Sequence, residues 1–377
     1  MSKKAWILII LTSLLMGSCY KPYTTDIDND EKVLVVDGLI TNKVARYHIK
    51  LKYSSKFYSS IKADPVRNAK VLVTDDAGTV INFRELPGGD YVSDSTRFTA
   101  VPGKSYSLRI EMPDGDIYES SLQKMENEFE PDSVYAVVDY EKYISRFNQV
   151  LKTIIGATLL ADIDGKSDPL PDFRFDVKMV KLYLYTENIP PPYIYPPLYI
   201  FYCWQLDTDL QDLVISDPKK SSSNLIQKQY LDFVDNLTMV EGRVYELGAK
   251  KPDQSYAGIP TTERQKYILA GRVMYVDHYS LNTEACAYYR KINEQLTSEG
   301  KLFDPISVQI EGNVKCTSDP EKEVYGFFEV SALSKTAYMV GNRNPATNQF
   351  PVTRVPLNIP SAFSGCIINK RPPFWIN

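Results

Sequence analysis

Histidine is nearly absent from this chain: His48 and His278 are the only two in 377 residues. A nucleophilic triad or a histidine-ligated metal would have to be built on one of them. Both fall in strand-like stretches. No G-x-S-x-G, H-E-x-x-H or G-x-x-x-x-G-K occurs, so no nucleophile elbow, zincin helix or phosphate-cradling loop is legible. Charge of one sign is lacking too. The formal net charge is −4, from 43 Lys+Arg and 47 Asp+Glu, with no basic block, which argues against nucleic acid as a partner. The five cysteines contain no C-x-x-C, which removes the usual zinc spacing. The expectation is a non-enzymatic protein with no metal and no other cofactor. Paired carboxylates for glycoside hydrolysis are assembled in space and leave no spacing to read, so a carbohydrate-active enzyme stays as a distant alternative.

Long apolar runs are missing as well, except at the start. Lys3 and Lys4 precede an apolar stretch from Ala5 to Met16, closed by Leu15-Met16-Gly17-Ser18-Cys19. The stretch is shorter than the roughly 20 residues that span a bilayer. A basic n-region, a short apolar core and small residues before a cysteine form a bacterial lipoprotein signal. Residues 1–18 then read as a signal peptide and Cys19 as the lipidated residue. Two or three acyl chains anchor stably, at about 0.8 kcal/mol per buried CH₂. Residues 19–31 are polar and acidic and read as a tether. Its Asp26, Asp28 and Asp30 imitate the start of a calcium loop, but Glu31 stands where that loop needs glycine.

What is plentiful is tyrosine, 27 residues, beside 24 prolines. With many β-branched residues this favours strands. Val33 to Ile40 is strand-like, and Tyr47, Ile49 and Leu51 alternate. Turn signals recur at Asp75-Asp76-Ala77-Gly78, Pro87-Gly88-Gly89-Asp90, Pro102-Gly103 and Pro113-Asp114-Gly115. Short strands at intervals of roughly ten residues predict an immunoglobulin-like β-sandwich over residues 32–123. The acidic stretch Lys124 to Asp132 reads as a boundary. A larger β-rich domain, 133–377, follows. Its strands are expected at Thr153 to Ile163, Phe173 to Tyr185, Leu198 to Leu206, Tyr267 to Tyr279, Val308 to Ile310, Tyr325 to Val330 and Ala337 to Val340. One clear α-helix is expected after Asn282 as N-cap, with Glu284 in its first turn and Gly300 at its end. The fold class is therefore mainly β. Asp162-Ile163-Asp164-Gly165 with Asp168 sketches a cation site, and a turn is the better reading.

Cys203, Cys286, Cys316 and Cys366 remain for disulfides in an exported chain, and four cysteines allow three pairings. Cys316 with Cys366 is the preferred pair, since both lie in the C-terminal segment.

Several segments carry a family likeness. They are Leu34-Val35-Val36-Asp37-Gly38-Leu39-Ile40, Pro65-Val66-Arg67-Asn68-Ala69-Lys70-Val71, and Pro102-Gly103-Lys104-Ser105-Tyr106-Ser107-Leu108. After the helix come Leu302-Phe303-Asp304-Pro305, Gly312-Asn313 and Val324-Tyr325-Gly326-Phe327-Phe328, and the chain closes on Gly365-Cys366 and Pro372-Pro373-Phe374-Trp375. Together with the lipobox they resemble the Bacteroidota outer-membrane lipoproteins of domain-of-unknown-function family 4249, nearly end to end. Members often end in a C-x-x-C-like pair where this chain has Cys366 alone. The resemblance implies an outer-membrane, lipid-anchored accessory protein, working beside a TonB-dependent β-barrel transporter in either leaflet.

Two functions from different classes follow. In the first, the protein captures a glycan or other nutrient for the transporter, on an aromatic cluster of Tyr183, Tyr185, Tyr193, Tyr195, Tyr199, Tyr202 and Trp204. Aromatic faces stack on sugars, and the proline-rich loop Ile189 to Pro197 presents them with little loss of entropy. In the second, it is an assembly subunit that docks on a barrel and binds no small ligand. A contiguous exposed patch of those rings favours the first; rings packed into a core favour the second.

Overall fold

The computed structural model describes residues 32–54, 64–93, 98–144, 151–165, 170–188, 198–207, 213–216, 225–235, 267–296, 310–344, 346–357, 364–368 and 370. The signal peptide, the tether with its aspartates, Tyr193, Tyr195 and Asp168 lie outside them.

The described chain is mainly β. The N-terminal part forms β1 (Leu34–Thr41), β2 (His48–Tyr53), β3 (Lys70–Asp75), β4 (Val80–Leu86), β5 (Asp90–Ser93), β6 (Ser105–Glu111), β7 (Ile117–Ser120) and β8 (Gln123–Lys124). The turn signals fall where the sequence places them, between β3 and β4, β4 and β5, and β6 and β7. Asp75 secures the first by accepting the Ala77 and Thr79 amides at 3.0 and 2.7 Å. Then come β9 (Ser133–Ile144), β10 (Leu151–Asp164), β11 (Asp172–Asn188), β12 (Leu198–Asp207), β13 (Val214–Ile215), β14 (Leu225–Asp235) and β15 (Tyr267–Leu281). The helix, α1 (Thr283–Leu296), starts as expected: Asn282 Oδ1 accepts the Ala285 amide at 2.9 Å. The chain ends with β16 (Val314–Cys316), β17 (Val324–Val340), β18 (Val352–Val355) and β19 (Ser364–Ile368). Tyr325 to Val340, expected as two strands, belong to one strand of 17 residues. Ile310 is not in a strand.

The main path of the large sheet runs β16-β7-β6-β3-β4-β5-β2-β1-β17-β15-β11-β12-β19. Its hinge is the parallel pairing of β1 with β17, Leu34 opposite Val324 through Thr41 opposite Ser331. This crosses the expected boundary at 123–133, and Val33–Asn377 is one compact unit. One apolar core gathers side chains from β1 to β7 together with Val314, Cys316, Phe328, Val330 and Ala332 from β16 and β17. Residues 32–123 therefore do not close a core of their own. Nor is Lys124 to Asp132 a solvated linker: Met125 enters that first core and Phe129 enters a second.

A seam closes the first core. Asn313 donates from Nδ2 to the Phe328 carbonyl at 2.9 Å and accepts the Phe328 amide on Oδ1 at 2.8 Å, while its own carbonyl accepts the Ser121 amide. The side-chain amide stands in for a backbone unit and links β17 to the run leading into β16. The chains meet so closely that a Cβ on Gly312 would fall on the Gly326 carbonyl, and one on Gly326 would fall on the Val36 carbonyl. Gly326 also has φ +88°, open to glycine and strained for other residues.

The second core lies between one face of β11, β15 and β17 and a separate three-stranded sheet, β14-β10-β9. Ala157, Leu159, Ala161 and Ile163 of β10 meet Phe173, Phe175, Met274 and Val276 there. Helix α1 covers the opposite face through Ala285 and Cys286, and Tyr288 stacks on Phe327.

Candidate functional site

The described rings of the aromatic cluster, Tyr183, Tyr202 and Trp204, do not share one surface. In the β11–β12 ladder Tyr183 lies opposite Cys203, whereas Leu182 lies opposite Trp204 and Leu184 opposite Tyr202. Successive strand residues point to opposite faces, so the pleat puts Tyr183 on one side and Tyr202 and Trp204 on the other; the side chains of Tyr185 and Tyr199 lie outside the described residues. Tyr183 is buried. Tyr202 and Trp204 are half-buried against Val180, Leu182, Val273 and Tyr275.

The same ladder corrects the disulfide. Cys203 and Cys366 are cross-strand partners between β12 and β19 and form the bond, with Cα atoms 4.1 Å apart. Cys316 is instead a free, buried thiol packed in the first core, as Cys286 is under the helix. Its position in β16, paired with β7, places it in a different part of the fold from β19. The Gly365-Cys366 signature thus has two jobs: Gly365 makes room for the Trp204 ring, and Cys366 ties the edge strand to β12.

His48 Nδ1 lies 2.9 Å from Asp90 at the surface. His278 is buried between Phe129 and Phe175, with Nε2 2.7 Å from Thr336 Oγ1. Burial, with Arg354 adding to it, lowers its pKa to about 3. Asp162 and Asp164 end a strand and are not in a turn. Asp162 Oδ1 accepts the Tyr135 hydroxyl at 3.2 Å and the Lys228 amide at 2.9 Å. Among the described residues no group of three His, Cys, Asp or Glu is placed to hold a metal ion, and no helix is long and apolar enough to cross a membrane.

A buried polar cluster braces the sheet beneath α1. Arg174 reaches Glu329 at 3.1 Å, with its guanidinium carbon 3.7 Å from the Tyr279 ring centre and 4.9 Å from that of Tyr289. Tyr289 donates to Glu329, and Ser331 donates to it at 2.6 Å. Burial opposes the charge on Arg174, and Glu329 together with Tyr289 and Tyr279 more than offsets it, so its pKa rises. Helix and sheet enclose these side chains, and they bond mainly to one another, though Arg174 Nε is buried without a hydrogen-bond partner.

What is presented to solvent is apolar and lies elsewhere. Among the described residues, six of the twelve exposed large hydrophobic ones sit on the three-stranded sheet: Val137, Tyr140, Leu151, Ile155, Leu225 and Tyr230. Alternation places Tyr140 and Ile155, cross-strand partners, on the face that carries Ala157 and Leu159 into the core. Ala157 is fully buried, yet Tyr140 is 63% exposed and Leu151 62%. The β9–β10 hairpin therefore runs past the end of the core and carries its inward-facing apolar residues into water. Periodicity did not single these residues out, because the same alternation is written whether or not a second layer lies opposite.

A family model described as a domain of unknown function, DUF4249, matches residues 20–337. No curated protein and no solved structure matches the chain.

Proposed function

Since the chain belongs to the DUF4249 family, we propose that it is a lipid-anchored outer-membrane protein that docks on a TonB-dependent β-barrel transporter as an accessory subunit. The observation that carries this reading is the overhanging hairpin. A protein exposes scattered apolar residues without consequence, but a cluster on one projecting element marks a contact surface. Tyr140, Leu151 and Ile155 form that surface. The lipoprotein signal ending at Cys19 supplies the address, and the mild charge leaves the contact to apolar burial.

Capture of a glycan by the aromatic cluster has less support, since Tyr183 is buried and Tyr202 and Trp204 pack inward. Docking as an assembly subunit is the better reading of the same protein.

Two measurements test it. Affinity purification of the tagged, lipidated chain from solubilised outer membranes is expected to recover a barrel in stoichiometric amount, identified by mass spectrometry. Tyr140→Glu with Ile155→Glu is expected to lose it; recovery of the bait alone from wild type refutes docking. Cys19→Ala is expected to move the protein from the membrane to the soluble fraction. If the variant stays with the membrane, the lipid anchor is wrong.

A further inference from the structure

A sheet edge is a row of backbone donors and acceptors without a strand opposite, and proteins blunt such edges against unwanted pairing. Among the described residues the main strand paths of the two sheets have four ends, and the strands branching off them, β8, β13 and β18, are two to four residues long. At one, β16 is three residues long, and the adjoining Asn313 fastens the run to β17. At the second, β19 is five residues long. At the third, β14 is broken by two register shifts against β10 and by a positive φ at Lys228. The fourth is β9. It pairs with β10 without a register shift from Ser133 to Ile144, and it contains no glycine and no proline.

The outer side of β9 is directly marked. The Tyr140 amide is turned to its own neighbour's carboxylate, Asp139 Oδ1, at 2.8 Å. That is a local substitute for a missing strand. Strand alternation then directs the amides of Ala136, Val138 and Lys142 the same way. Among the described residues, these have no hydrogen bond beyond the ladder with β10.

We propose that β9 receives an extended segment of the docked partner as a fourth strand, so that recognition runs through the backbone as well as through the apolar hairpin. This rests on the docking reading above and names its mode. The partner segment is polypeptide in β conformation, without proline at the paired positions, because only such a backbone matches the edge. Charge specifies it further. Asp139 is exposed near the middle of β9, and its oxygens are engaged by the neutral Tyr140 amide and Thr158 hydroxyl. A lysine or arginine of the incoming strand, opposite Asp139 on the same face, complements it. Binding then releases the Tyr140 amide from Asp139 to the new strand.

The test uses the full-length, lipidated protein and the complex recovered with it. Hydrogen exchange at the amides of residues 136–142 is expected to slow at least about tenfold in the complex, equivalent to about 1.4 kcal/mol. Val138→Pro removes one outward amide and spares the β10 ladder, since proline is tolerated where the amide faces away from the sheet. It is expected to lower recovery of the partner at least about tenfold. Asp139→Lys, a surface change that leaves the backbone intact, is expected to weaken recovery likewise and keeps the test alive should the proline variant not fold. If Tyr140→Glu with Ile155→Glu abolishes the complex while Val138→Pro and Asp139→Lys retain it, and β9 exchange is unchanged, strand addition is overturned and docking stands. Slowed β9 exchange in the isolated protein, rising with its concentration, assigns the edge to a second copy and overturns the partner strand. Slowed exchange on vesicles of phosphatidylethanolamine and phosphatidylglycerol assigns it to lipid and overturns it too. If wild type recovers no barrel, docking itself has failed, and the strand addition with it.

Discussion

His278 ties a single side chain to the stability of the whole. Its imidazole is held neutral, with a pKa lowered from 6.5 to about 3 by burial. Below pH 6.5 the unfolded chain takes up a proton that the folded chain refuses. Stability is therefore lost as pH falls from 6.5 towards 3, by up to about 1.4 kcal/mol per unit from this group. His278→Gln keeps a polar partner for Thr336 and removes the titration. Its urea-unfolding free energy is expected to fall less steeply between pH 6.5 and 4 than that of wild type. Parallel curves contradict a neutral buried imidazole. The thiols give a second check. Burial pushes Cys286 up to about 11, and Cys316 is buried in the first core. Without reductant, a thiol reagent is expected to find neither of them in the native protein and both after denaturation. Labelling of Cys203 or Cys366 contradicts the β12–β19 bond, whose removal is expected to cost about 2–4 kcal/mol.

At the scale of elements, Gly326 and Gly78 make a matched pair. Both have positive φ, 88° and 83°, but a Cβ at Gly78 meets nothing within 4 Å while one at Gly326 meets the Val36 carbonyl. Gly78→Ala is expected to cost about 1 kcal/mol from backbone strain alone. Gly326→Ala adds the collision at the seam and is expected to cost about 3 kcal/mol or more. Equal costs in urea titration mean the seam yields, and the close approach is not what requires glycine. Elements of this kind were legible in proportion to how local their causes are. The hairpin at Asp75 to Gly78 and the helix cap at Asn282 are set by neighbouring residues and fall where the sequence placed them. The unbroken β17, and the packing of Met125 and Phe129 into two cores, depend on what lies opposite. Lys124 to Asp132 looks like a linker because its acids face water; two buried side chains decide otherwise.

For the whole molecule, the consequential contact is β1 against β17. A parallel pairing of residues 34–41 with 324–331 leaves no local trace, since each strand reads as a plain apolar run. That is why 32–123 and 133–377 looked separable. The parting of Tyr183 from Tyr202 and Trp204 has a related reason: closeness in sequence does not decide which side of a pleat a ring takes, nor whether a layer covers it. Because the first core takes side chains from both halves, urea unfolding is expected to show one transition by fluorescence and by circular dichroism alike. Residues 133–377 expressed alone are expected not to reach a native fold. Two separated transitions, or a stable C-terminal fragment, contradict the shared core.

The same pairing fixes an order of events in time. Val324 follows Leu34 by 290 positions, which at roughly 5–20 residues per second is about 15–60 s of synthesis. Throughout that interval β1 carries an apolar face and an open ladder with its partner not yet made. Native structure forms only when nearly the whole chain is present, and contacts this distant fold slowly. The strand that completes the first core is thus made near the end of synthesis, and until then the polypeptide has no closed core to fold around.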